Sequence, residues 1–136
     1  MILPSAGLTE IKTEKAPKAI GPYSQAVLAG QYLFISGQIA IDPSSGKMVG
    51  TSIAEQTIQV LKNIEAILQA QGLTFGSVVK AEVFLKDMND FSTMNAIYAE
   101  KFSHNVKPAR QAFQVVKLPL DALVEISCIA FVPSKS

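Results

Sequence analysis

At 136 residues and 49% apolar content, the chain is long enough to bury a core and too short for a second domain, so residues 1–136 are expected to form one unit. Twelve basic against eleven acidic residues leave a formal charge of +1, with no Lys/Arg cluster and no interleaving of aromatic and basic residues; this argues against nucleic acid as a partner. Mean hydropathy is +0.28 although no apolar run is long enough to span a bilayer, so the excess apolar surface is expected in a subunit interface.

The first residues carry no basic stretch ahead of an apolar run, and Cys128 is the only cysteine, which excludes an internal disulfide and an ordinary thiolate metal site. Both features point to the cytoplasm. Pro4, Ser5 and Gly7 read as a lead-in to a short strand over Leu8–Thr13. Pro17, Gly21 and Pro22 then forbid regular structure, making a loop that must be held from outside itself and that ends at Tyr23. Tyr23 either offers its hydroxyl to a ligand or packs with its polar tip in water.

Gln25–Leu28 and Gln31–Ser36 are strand-like runs around Ala29 and Gly30, which predicts a tight hairpin. Ser36 and Gly37 interrupt the second run, as a bulge or as a place where something closely approaches the backbone. Ser52 and Glu55 form a capping box, Gly72 is a stop, and Ile53, Val60, Leu61, Ile64, Ile67 and Leu68 make one stripe, so Ser52–Gln71 is predicted helical. Ser77–Lys86 alternates as a strand with Val79, Ala81, Val83 and Leu85 inward. Asp87–Asp90 opens a second helix over about Phe91–Ser103, with Phe91, Met94, Tyr98 and Phe102 as its stripe. Asn95 borders that stripe and requires a partner, a sheet carbonyl or a ligand. The only histidine, His104, has no neighbouring Asp or Cys that would make it a base or a metal ligand.

Ala109–Val116 and Leu123–Val132 flank a short connector containing Pro119 and Asp121, which predicts a closing hairpin. Val124, Ile126, Cys128, Ala130 and Val132 share one parity and are expected buried, with Cys128 an inert core thiol. Pairing the runs so that Phe113 and Val115 join that face puts Arg110, Ala112 and Gln114 on the side of Glu125. Arg110 could hold a carboxylate bidentately and Glu125 position a water, or the two could be a structural pair or solvated charges. In a hairpin they stand about four residues, roughly 13 Å, apart, so a shared small ligand needs side-chain reach, a bridging water or a neighbouring chain. Strands and two helices in this order give an α+β layer, with the sheet face away from the helices left for oligomerisation.

Four segments, AIGPYSQAV at Ala19–Val27, ISGQIAIDPSSG at Ile35–Gly46, VVKAEVFLKDMNDFSTMNAIY at Val78–Tyr98, and PAR with a later VEI at Pro108–Arg110 and Val124–Ile126, resemble in order and spacing the RidA (YjgF-type, or L-PSP endoribonuclease) family. The resemblance covers about Thr13–Phe131. It implies a chorismate-mutase-like α+β fold, a mixed sheet with two helices on one face, in a homotrimer with ligand clefts between subunits. The implied reaction is cofactor-free and metal-free hydrolysis of reactive 2-imino or enamine acids to 2-oxo acids and ammonia. Arg110 would then bind the substrate carboxylate and Glu125 handle the water, with Tyr23, Ser36, Gly37 and Asn95 lining the cleft. Ala112 joins them where many bacterial members carry Cys, which argues against a thiol mechanism. Two other activities fit the resemblance: binding of a small 2-oxo acid without turnover, and single-strand RNA cleavage with inhibition of translation. The near-neutral charge disfavours the last.

Overall fold

The computed structural model describes residues 6–134; Pro4 and Ser5 of the expected lead-in lie outside that range. Six strands, β1 (Leu8–Ile11), β2 (Ala26–Ala29), β3 (Tyr32–Gln38), β4 (Val78–Leu85), β5 (Ala109–Gln114) and β6 (Val124–Phe131), form one sheet in the order β1-β2-β3-β6-β4-β5. The helices α1 (Ile53–Ala70) and α2 (Phe91–Lys101) contribute to one core with the sheet. This is the expected mixed α+β architecture. Among the described residues no helix is long and apolar enough to cross a membrane.

Local chemistry accounts for most element boundaries. Ser52 Oγ accepts from Glu55 N at 3.1 Å while Glu55 Oε1 accepts from Ser52 N at 3.3 Å, closing the capping box of α1. Gly72, at φ +69°, takes the left-handed conformation that ends it. Leu61, Ile64, Ile67 and Leu68 of α1 are fully buried, each contributing about 1.5–3 kcal/mol by leaving water. Polar groups of α1 act as tethers. Asn63, fully buried, donates to the carbonyls of Ile39 (3.2 Å) and Ile41 (2.9 Å), and Gln56 accepts from Leu123 N at 2.9 Å. The helix thereby fixes the chain just after β3 and just before β6.

Two expectations are overturned. The last two strands are not a hairpin: β6 lies between β3 and β4, antiparallel to both, and β5 pairs in parallel with β4 at the sheet edge. The connection through α2 makes a βαβ unit whose strand pairing and helix packing outweigh a short local turn. The faces of β5 follow. Arg110, Ala112 and Gln114 stand opposite the buried Ala81, Val83 and Leu85, so they lie on the helix side, whereas Phe113 is 46% exposed on the other face beside Phe84. Arg110 and Glu125 therefore lie on opposite sides of the sheet in one protomer. The second correction is Val79, 42% exposed with Val78 buried in its place, because a register shift between Val78 and Lys80 displaces the alternation by one residue.

The face away from the helices carries Tyr32, Phe34, Phe113 and Phe131, exposed at 46%, 46%, 46% and 38%. Two edge-on aromatic pairs lie on it, Tyr32–Phe131 at 5.8 Å and Phe84–Phe113 at 5.3 Å between ring centroids. The two pairs stand at opposite ends of this face, with Ser127, Glu82 and Lys80 between them, and exposed rings of this kind are the mark of an interaction face.

Candidate functional site

The expected site residues fall into two groups. The first surrounds Glu125. On β6, opposite Phe84, its side chain is half-buried on the open sheet face, and burial raises its carboxyl above the ordinary carboxylate range. It lines a cavity of about 370 Å³ with Tyr23, Gly37, Ile39, Pro119 and Leu120. Gly37 is what lets the carboxylate lie there: a Cβ built on it would stand 2.9 Å from Glu125 Cδ and closer still to Oε2. The strand register also shifts between Ile35 and Gln38, so Gly37 is at once a bulge and a point of close approach.

The Pro-rich loop is held by Gln25, which sequence reasoning missed as a functional support. Its buried amide accepts from Thr13 N at 2.7 Å and donates to the carbonyls of Thr13 (3.0 Å), Ala16 (3.2 Å) and Pro17 (2.8 Å). The available signal was an amide at the start of an apolar run, since a buried amide must be satisfied. Ser36 assists: its hydroxyl donates to the Ser24 carbonyl at 2.6 Å, and its N–H to the Gln25 carbonyl at 3.0 Å. Its hydroxyl thus holds the backbone next to Tyr23. Tyr23 itself is 54% exposed, its hydroxyl accepting from Ile20 N at 3.3 Å. The opposite wall is strained. Leu120 and Asp121 are non-glycine residues at φ 53° and 54°, a conformation that costs about 1–2 kcal/mol per residue. Lys86 secures this turn through an ion pair to Asp121 Oδ1 at 2.9 Å and its N–H to the Leu123 carbonyl at 3.0 Å.

The second group surrounds Arg110, exposed at the edge of the sheet on the helix side. Its Nη1 donates to Asn95 Oδ1 at 2.5 Å, so the amide oxygen of Asn95 finds its partner in this guanidinium and not in a sheet carbonyl. Among the described residues no carboxylate lies in ion-pair range of Arg110. With Asn95 and Tyr98 it borders a cavity of about 410 Å³, and Ala112, half-buried, lies two residues along the same strand face. This half offers a cation and unused N–H donors; the other offers a carboxylate in an apolar recess. In a single protomer the two do not meet.

Other features fall away. A larger cavity, about 580 Å³, beside β1 is bordered by the charged residues Glu10, Lys12, Glu14 and Lys18 and includes neither Arg110 nor Glu125. Burial pushes the Cys128 thiol to about 12, which makes it the inert core residue expected. Among the described residues no group of three or more His, Cys, Asp or Glu side chains could hold a metal ion. His104 packs its ring against Gly76 and is exposed.

Residues 13–132 match the family model described as Endoribonuclease L-PSP. A RutC family protein of Pyrococcus horikoshii is 57% identical over 121 residues, covering 89% of this chain and 95% of its own length. The 2-iminobutanoate/2-iminopropanoate deaminase of Homo sapiens is 52% identical over 120 residues, covering 88% of this chain and 87% of that protein. The crystal structure of E. coli TdcF with bound serine superposes with a TM-score of 0.87 at 39% identity, covering 92% of this chain and 99% of that one.

Proposed function

Because the chain belongs to the Endoribonuclease L-PSP family, the RidA/YjgF-type family it resembles in sequence, we propose that it is an enamine/imine deaminase that converts 2-imino acids and water to 2-oxo acids and ammonia. Deaminase-named relatives at about half identity support this reading. So does the neighbour solved with bound serine, since serine is a small acid with a carboxylate of the kind an imino acid would present. The observation that carries it is the pair of half-sites: a guanidinium without a carboxylate partner among the described residues, and a carboxylate held against a glycine in a recess.

The chemistry follows from what each half supplies. The Arg110 fork takes the substrate carboxylate, leaving C2 of the C=N group to face Glu125. Glu125 accepts a hydrogen bond from a water and takes its proton as the oxygen adds to C2. Glu125 returns that proton to the nitrogen to give the carbinolamine, then relays the hydroxyl proton to the amine, so that the C–N bond breaks, ammonia leaves and the C=O of the 2-oxo acid forms. An enamine such as 2-aminoacrylate enters after tautomerising to the imine. Neither thiol nor cofactor takes part. The spontaneous hydrolysis is itself fast, so positioning and general-base help suffice.

The halves unite between copies of the chain. The aromatic face beside Glu125 buries itself on a neighbour, and the Arg110 edge of one copy meets the Glu125 recess of the next. Such a contact joins two different patches and closes as a ring; a homotrimer has three equivalent clefts. A coupled assay that generates 2-aminoacrylate in situ and follows ammonia release tests the reading. Wild type accelerates release and Arg110→Ala does not, while remaining folded; undiminished release by Arg110→Ala would refute it. Tight binding of 2-oxobutanoate with no acceleration would favour a carboxylate-binding role instead.

A further inference from the structure

Arg110 is an exposed side chain on an edge strand with one side-chain hydrogen bond, a setting in which guanidinium groups ordinarily sample many rotamers. Here it rests on a column of rings. Its guanidinium carbon lies 4.8 Å from the centroid of the Tyr98 ring and 5.5 Å from that of Phe91. Tyr98 stacks at 4.1 Å and 21° on Phe102, which meets Phe75 edge-on at 4.8 Å. Tyr98, Phe102 and Phe75 are only 6%, 2% and 5% exposed, so the column is rooted in the core. The Tyr98 hydroxyl is buried without a hydrogen-bond partner among the described residues, so the phenol's polar end serves no bond that would explain the residue. What Tyr98 presents to Arg110 is the ring face.

We propose that Tyr98 is a positioning residue for the substrate carboxylate: its ring face, backed by Phe102, fixes the plane of the Arg110 guanidinium so that the N–H donors not used by Asn95 point at the ligand. A cation over an aromatic face is attracted by the ring quadrupole, and the column makes that attraction directional because the ring cannot tilt away. Asn95 fixes one nitrogen and the ring fixes the plane. Together they turn a flexible arm into a prepared fork. The kinetic side of this proposal rests on the deaminase reading; the geometry does not.

The test uses the full chain in two arms. In the first, the Arg side-chain Nε–H resonances are recorded by NMR. Arg110 shows an upfield ring-current shift that Tyr98→Leu reduces, leaving only the share of Phe91, and that Tyr98→Phe retains. In the second, 2-oxobutanoate binding is titrated. Tyr98→Leu weakens it by about 3- to 30-fold, the rise in KM for imine exceeds the fall in kcat, and Tyr98→Phe restores wild-type affinity. In the Arg110→Ala background Tyr98→Leu adds no further loss. If Tyr98→Leu fails to fold, Tyr98→Met, which fills the same space without a ring, gives the same pattern. An Arg110 resonance that Tyr98→Leu leaves unmoved, or wild-type binding by the folded Tyr98→Leu or Tyr98→Met protein, overturns the proposal. Absence of ammonia release by wild type, with the resonance shift and binding loss intact, removes the deaminase reading and leaves the positioning role standing.

Discussion

The Arg110 and Glu125 regions solve opposite problems with charge. At Arg110 the cation is exposed and is disciplined by surfaces: a ring face, a second ring and one amide oxygen. At Glu125 the anion is half-buried and is disciplined by the lack of a side chain at Gly37. Water already solvates the first, so its difficulty is conformational entropy; the second is partly stripped of water, so its difficulty is ionisation. A substrate carboxylate needs an available, oriented cation, whereas activation of water needs a carboxylate whose basicity is raised. The two environments match those two tasks.

The largest effects should come from deleting either charge. Arg110→Ala and Glu125→Gln are each expected to lower kcat/KM for 2-aminoacrylate hydrolysis by about 10²–10⁴-fold. Mixing the two inactive variants at equal amounts after unfolding and refolding should restore about a quarter of wild-type activity, because that share of clefts draws both intact groups from different copies. No recovery would mean that one copy supplies both groups. Next is Gly37→Ala, which forces the carboxylate away from the strand and should cost about 10²-fold in kcat with the fold intact by circular dichroism. A near-normal rate would show that the position of Glu125 is not critical.

Gln25→Ala strips four hydrogen bonds from the Pro-rich loop and should lower stability by about 1–3 kcal/mol in urea titration, with a smaller loss of activity through Tyr23. The smallest effect is one of pH. Folding raises the Glu125 pKa from 4.5, so the contribution of this group to stability is full below the unfolded value and is lost as pH rises through the folded one. Two consequences follow: the acid limb of the rate profile should lie above the ordinary carboxylate range, and Glu125→Gln should gain stability at neutral pH relative to wild type. A limb at or below 4.5 would remove the assignment of Glu125 as base.

Much of the fold was legible because it is written in local patterns. The capping box and stripe of α1, the hairpin of β2 and β3, and the buried parity of β6 all rest on residues within a turn or two of one another. Gly37 was legible too, since a glycine inside a strand run asks for a reason. The polar tethers Gln25, Gln56 and Asn63 were not, because the bonds by which they hold other segments reach partners 8 to 67 residues away along the chain. Val79 was misread because a bulge inverts an alternation without leaving a mark in the residue types.

The amino-acid order alone thus settled which segments are helices and strands, which of their faces most often point inward, and which residues are candidates to carry chemistry: Arg110, Glu125, Tyr23, Gly37 and Asn95. Tertiary structure decided which strands are neighbours. It inserted β4 between β5 and β6, and so sent Arg110 to the helix side and Glu125 to the open face. Periodicity and capping act over one or two turns of chain, while strand pairing is chosen by the total burial of a whole layered core. No short window of sequence contains that sum.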